Sequence, residues 1–300
     1  MVGAPPLLLA VPNVSEGRDR TALDAIERSF APARFLDLHT DPDHNRAVFT
    51  LAARQGELAT ALLNGARAVV ERLDLARHEG LHPYVGALDV LPVVYRSEDA
   101  RGAACAEAIT AAALIGEELE IPVILYGELA TRPEHRERAW LRAGGWRRLA
   151  ERIHAGEVVP DFGPRRPHPR AGAVLAAARP PLVAFNVELR SGDVELARAI
   201  AADLRESGGG FPGVRAIGLY LPERGRAQVS MNVHDHRAAP LGELVQAIRR
   251  RAEVAEAELV GLAPEAAFAG FPEDVRLRGF SPERHFIENA LRAVARAGPR

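Results

Sequence analysis

The sequence has no lysine: all 38 of its basic residues are arginine. Schiff-base chemistry, a lysine-linked pyridoxal phosphate and a phosphate-binding P-loop lysine are therefore excluded together. Cysteine is nearly as scarce. Cys105 stands alone in the alanine-rich "RGAACAEAIT", so neither an internal disulfide nor a cysteine-based zinc site can form. It reads as a small apolar residue on a helix. No GxSxG motif occurs, and no apolar run is long enough to cross a bilayer. The opening "MVGAPPLLLAVP" has a short apolar stretch but no basic region before it. It reads as a first buried strand rather than a signal peptide, and the chain is expected to be cytoplasmic. Net charge is only −2, which gives no electrostatic reason to expect DNA or RNA as the partner, and no membrane partner is expected.

What remains is an ordinary globular composition, 47% hydrophobic and 26% charged over 300 residues, enough for one large domain or two medium ones with real cores. Apolar and alternating runs predict strands near 7–14, 34–39, 46–53, 88–95 and 121–128. Helical periodicity falls at 18–30, 56–73, 99–119 and 134–153. Up to residue 95 the order is β-α-β-β-α-β, the order of a ferredoxin-like sheet with helices on one face. Residues 155–181, rich in Pro and Gly, read as a linker or draped loop. The order then repeats: strand 182–189, helix 193–206, strands 214–221 and 227–233, helix 241–254 and strand 257–262. The expected fold is α/β (α+β), with two ferredoxin-like βαββαβ-type subdomains, each a mixed sheet with helices on its outer face. Near 281 a terminal helix is expected, capped by Ser281 with Pro282 and Glu283 in its first turn.

Several polar stretches fit a purely structural role poorly. In "VPNVSEGRD" (11–19), Asn13, Ser15 and Glu16 follow a strand end, although a turn and helix start would account for them. In "DLHTDPDHNRAV" (37–48), Asp37, His39, Asp41, His44 and Asn45 crowd ahead of Arg46, which suits a carboxylate ligand; a solvated turn is the competing reading. "HEGLHP" (78–83) is harder to explain away. Gly80 and Pro83 disfavour a helix there, and an imidazole on a loop set by a strand can accept a proton at neutral pH. Of its two histidines, His82 is the better base; His78 fits the end of the preceding helix. "MNVHDHR" (231–237) offers half a metal site without matching ligands elsewhere, so no metal is expected.

Together these stretches resemble the formiminotransferase domain family. The match is carried by "VPNVSEGRD", "LDLHTDPDHNRAVFTL" (36–51), "GARAVVERLDLARHEGLHPYVGALDVLPVV" (65–94), "PDFGP" (160–164), "LVAFNVEL" (182–189) and "IGLYLPERGRAQVSMNV" (217–233). The resemblance implies subdomains at 1–178 and 179–300 whose sheets face across a substrate tunnel. It implies a homodimer of the stand-alone form, without a cyclodeaminase segment. It further implies transfer of a formimino group from N-formimino-L-glutamate to N5 of tetrahydrofolate, the co-substrate. His82, the histidine of the HP pair, would be the catalytic base, and Asn13, Asp37, His39, Asn45, Arg46, Asn186 and Gln228 would bind substrate. The chain departs from the family pattern at Tyr84, where the family has arginine after HP, and at His39, where an acid is common. Rival readings are a folate- or pterin-binding protein without turnover, a transferase using another one-carbon donor such as N-formylglutamate, and a histidine-based metal hydrolase.

Overall fold

The computed structural model describes residues 5–80 and 83–296. The chain divides into two compact units, Met1–Pro180 and Pro181–Arg300.

The first unit starts with β1 (Leu7–Ala10) and β2 (Asn13–Val14), two halves of one strand line interrupted at Pro12. There follow α1 (Arg20–Ser29), β3 (Arg34–Asp41), β4 (Arg46–Arg54), α2 (Leu58–Arg72) and β5 (Leu88–Val94). Proline ends the β1 ladder because it has no N–H, yet its carbonyl still accepts from the Phe49 amide at 3.0 Å. Both β1 and β2 lie antiparallel between β4 and β5, and β3 pairs with the far side of β4. That is the strand arrangement of a βαββαβ unit. Asp19 caps α1 by accepting from the Ala22 amide at 3.0 Å.

Onto the β5 edge the chain adds α3 (Arg101–Glu118), β6 (Val123–Leu125), α4 (Arg138–Arg142), α5 (Gly145–His154) and β7 (Val174–Arg179). The stretch 155–181, expected to be a linker, is here corrected: β7 runs parallel between β5 and β6 inside the seven-stranded sheet. Its "VLAAAR" is buried along nearly its whole length, so it shows no alternation, and alanine gives little strand signal between Pro- and Gly-rich flanks. The single helix expected over 134–153 is likewise split, because Gly144 and Gly145 both have positive φ, 78° and 70°.

Leu8, Phe49, Leu51 and Leu91 point to one face of this sheet and pack with α1, α2 and α3. On the other face, α4 and α5 cover β5, β7 and β6 through Leu141, Leu149 and Ile153. The part of that face formed by β2, β4 and β3 carries the polar residues singled out above.

The second unit is β8 (Val183–Leu189), α6 (Val194–Leu204), β9 (Val214–Leu221), β10 (Arg226–Val233), α7 (Leu241–Arg249) and β11 (Val254–Val260). Its sheet has the order β11-β8-β10-β9 and is antiparallel throughout. Val183, Phe185, Val187, Val229 and Met231 face α6 and α7. The tail then doubles back: Ala257 exchanges backbone hydrogen bonds with Arg276 and Arg278, both at 2.8 Å. It ends in α8 (Pro282–His285) and α9 (Ile287–Arg296), so the expected terminal helix is two helices joined at Phe286. No described helix is long and apolar enough to cross a membrane.

One buried acid holds two helices of the first unit together. The α2 N-terminus has no capping side chain of its own. Instead Glu107, buried on α3, accepts from the Gly56 amide at 2.6 Å and the Ala59 amide at 2.7 Å. A carboxylate there meets both the free N–H groups and the positive end of the helix dipole. Glu107→Ala should therefore cost roughly 2–3 kcal/mol. Urea denaturation would check this, and an unchanged midpoint would count against the cap.

Candidate active site

In β3, Asp37, His39 and Asp41 lie opposite Thr50, Val48 and Arg46 of β4. Directly opposed residues share a face, and Asn13 of β2, opposite Val48, joins them. Four of the expected binding residues, Asn13, Asp37, His39 and Arg46, thus stand on one sheet face because strand side chains alternate.

Arg46 donates to Asn13 Oδ1, while Asn13 Nδ2 donates to the Val11 carbonyl at 2.8 Å. Burial, helped by the charge of Arg138, lowers the Arg46 pKa to about 10. The guanidinium remains a cation at neutral pH, and its desolvation favours an anionic partner.

The turn before it is half-buried, with His44 and Asn45 buried and Pro42 exposed. Asp41 accepts from the His44 backbone at 2.9 Å and pairs with His44 Nδ1 at 3.0 Å. Burial alone would raise the Asp41 pKa, but the hydrogen bonds and charge of His44 outweigh it and bring it to about 2. Asp41 is therefore committed to this turn.

Asn45, with φ of 47°, joins three segments. Its Oδ1 accepts from the Gly17 amide at 2.9 Å, its Nδ2 donates to the Glu79 carbonyl at 3.0 Å, and Nδ2 lies 3.3 Å from His78 Nδ1. Asn45 is thus a scaffold for the histidine loop. Gly80 is required beside it, since a Cβ there would fall 2.4 Å from the His44 carbonyl oxygen. His78 is more than a helix end. Its ring meets Tyr84 edge-on with centroids 4.4 Å apart, and Tyr84 Oη donates to the His78 carbonyl at 3.2 Å. Burial holds the His78 imidazole below its ordinary pKa, against the pull of Glu16. His82, the expected base, lies outside the described residues.

Beyond the loop, Asp89 accepts from the Val85 amide at 2.9 Å and forms a buried ion pair with Arg142 of α4. Burial lowers the Arg142 pKa to about 9. Sequence reading missed this pair. Asp89 inside the apolar "LDVLPVV" was a signal, because a carboxylate buried in a strand needs a partner; nothing marked Arg142 as that partner. In the second unit, Asn186 and Gln228 are both buried on the sheet face opposite α6 and α7. They stand among Glu188, Glu256 and Glu258 and the arginines that pair with them, a charge network also missed. Among the described residues, no three His, Cys, Asp or Glu side chains gather where they could hold a metal ion.

The Asp41 geometry sets an acid dependence. Its carboxyl titrates near 2 when folded, against 3.8 unperturbed. Its contribution, on the order of 2 kcal/mol, is complete above about pH 4 and is lost as pH falls toward 2. Asp41→Asn should flatten the dependence of the urea midpoint on pH over that window. An unchanged acid slope would assign it to other groups.

Comparison with known proteins gives the architecture a family. The model of the formiminotransferase domain, N-terminal subdomain, matches residues 7–179, and that of the formiminotransferase domain matches residues 184–271. The glutamate formimidoyltransferase of Streptococcus pyogenes serotype M1 is 35% identical over 291 residues, 94% of this chain and 97% of that protein. The protein of the same name from Thermoplasma acidophilum is 34% identical over 301 residues, 96% and 98% of the two chains. The formimidoyltransferase-cyclodeaminase of Sus scrofa is 40% identical over 276 residues, 86% of this chain but 50% of that protein. With both family models matched in sequence and near-full-length relatives at this identity, the chain belongs to the formiminotransferase domain family.

Proposed function

We propose that the protein is a glutamate formimidoyltransferase, moving the formimino group from N-formimino-L-glutamate to N5 of tetrahydrofolate with His82 as base and then acid. The observation that carries this is similarity along almost the whole chain to two proteins of that name. In the reaction, the N5 lone pair attacks the amidine carbon and N5 gives its proton to the His82 imidazole. The carbon–nitrogen bond to glutamate then breaks, and the leaving amine takes the proton back. Holding two substrates side by side supplies much of the acceleration, so the reaction needs neither a covalent intermediate nor a metal.

The described residues support these roles. Arg46, a desolvated cation held by Asn13, suits a substrate carboxylate. Asp37 and His39 share its face, and Asp37 is assigned to the amidine. The segments on either side of His82 are tied down, by Asn45 at Glu79 and by Asp89 at Val85, as a positioned base requires. Asn186 and Gln228 are assigned to substrate in the second unit. The reading includes subdomains at 1–178 and 179–300 and a cytoplasmic homodimer, with small-molecule substrates as its only other partners.

A tetrahydrofolate-dependent assay with N-formimino-L-glutamate, read as the absorbance of the product cyclised in acid, tests this. His82→Ala should lower kcat by about 100-fold or more. Full activity in the variant would put the base elsewhere. Folate binding without turnover in the wild type would favour a pterin-binding protein or a different donor.

A further inference from the structure

The polar face of the second sheet carries two rows of side chains across β11, β8 and β10. One row is Glu256, Glu188 and Gln228; the next, two residues along each strand, is Glu258, Asn186 and Ser230. Glu188 and Gln228 are each 1% exposed and Asn186 is 3% exposed.

The carboxylates are fully engaged. Glu188 pairs with Arg278 at 2.6 Å, Arg224 at 3.1 Å and Arg226 at 3.3 Å. Glu256 pairs with Arg224 at 3.1 Å, Arg278 at 3.3 Å and Arg276 at 3.8 Å. Glu258 pairs with the second nitrogen of the Arg278 fork at 2.6 Å. Four guanidinium groups neutralise three carboxylates, so this face is no cation site. Arg278 reaches all three acids, and it comes from the returning tail, beyond the residues matched by the family model.

Glu258 also accepts from Asn186 Nδ2 at 3.2 Å. A carboxylate only accepts, so this contact fixes which end of the Asn186 amide is nitrogen and leaves Oδ1 as its acceptor. Diagonally across from it, Gln228 Oε1 is buried and has no hydrogen-bond partner among the described residues. Such an acceptor is costly to leave unmatched, and an N–H donor on a ligand would satisfy it.

We propose that Gln228 Oε1, with Asn186 beside it, accepts from a planar N–H donor group of a substrate, and that Arg278 is a positioning residue holding Asn186 through Glu258. This rests on the transferase reading, under which two substrates carry such a group: the aminopyrimidine ring of tetrahydrofolate and the amidine of N-formimino-L-glutamate.

Calorimetric titration of wild type and variants with tetrahydrofolate, N-formimino-L-glutamate and L-glutamate tests the assignment. Gln228→Leu should weaken one ligand by about tenfold without lowering the melting temperature, since it removes an unmatched buried polar group. Loss confined to tetrahydrofolate assigns the aminopyrimidine. Loss for the formimino compound with no change for glutamate assigns the amidine. Unchanged affinity for both, as expected if solvent satisfies Gln228, overturns the proposal. Arg278→Lys keeps the charge but cannot fork between Glu188 and Glu258, so it should weaken the same ligand by a smaller factor. A fall in stability alone, or an equal effect on both ligands, overturns the positioning role. The readout is binding, so a wild type that binds both substrates and turns over neither would sink the transferase reading and still decide this one.

Discussion

Strand register decides where every polar residue of the site stands. Asp37, His39 and Asp41 share a face with Arg46 and Asn13 because β3, β4 and β2 pair in one register. A one-residue slip would drive those groups into the helices and bring Leu38, Phe49 and Val14 out to the polar side. The second sheet obeys the same rule: Phe185 and Val187 belong to the core while Asn186 and Glu188, between and beside them, belong to the polar face. In each unit the apolar face therefore stabilises the fold and, by the same register, assembles the polar groups opposite.

Burying those polar groups requires that each charge be matched, and the lysine-free composition shapes how that is done. A guanidinium reaches two acceptors with a rigid fork, as Arg278 does between Glu188 and Glu258. Arg142 answers Asp89 from the short helix α4, whose Leu141 is buried against the same sheet. Arg46 donates to the neutral amide oxygen of Asn13.

The doubled β-α-β-β-α-β order was legible because its strands alternate or run apolar and its helices keep their period. The site stretches were legible because polar residues cluster where a loop gives no structural excuse for them. Other features were hidden for identifiable reasons. β7 is short, alanine-rich and buried on both sides, so it lacks the alternation that marks a strand. The Arg142–Asp89 and Arg278–Glu188 contacts join residues 53 and 90 positions apart, a distance over which local patterns carry no information. Asn45 was legible as important but not in its role, since bridging Gly17 to Glu79 depends on three loops meeting.

The position of β7 also orders events in the growing chain. Strands β1 to β5 can pair once residue 94 has emerged, but among the described residues β6 touches the sheet only through β7. Until residue 179 emerges, the β5 edge has no neighbour on that side and β6 has nothing to pair with. An unpaired, apolar strand edge invites association with other chains. The first unit thus passes through a stage at which eighty-odd residues of synthesis separate a formed sheet from its own closing strand, and protection of that edge during translation becomes part of making the protein.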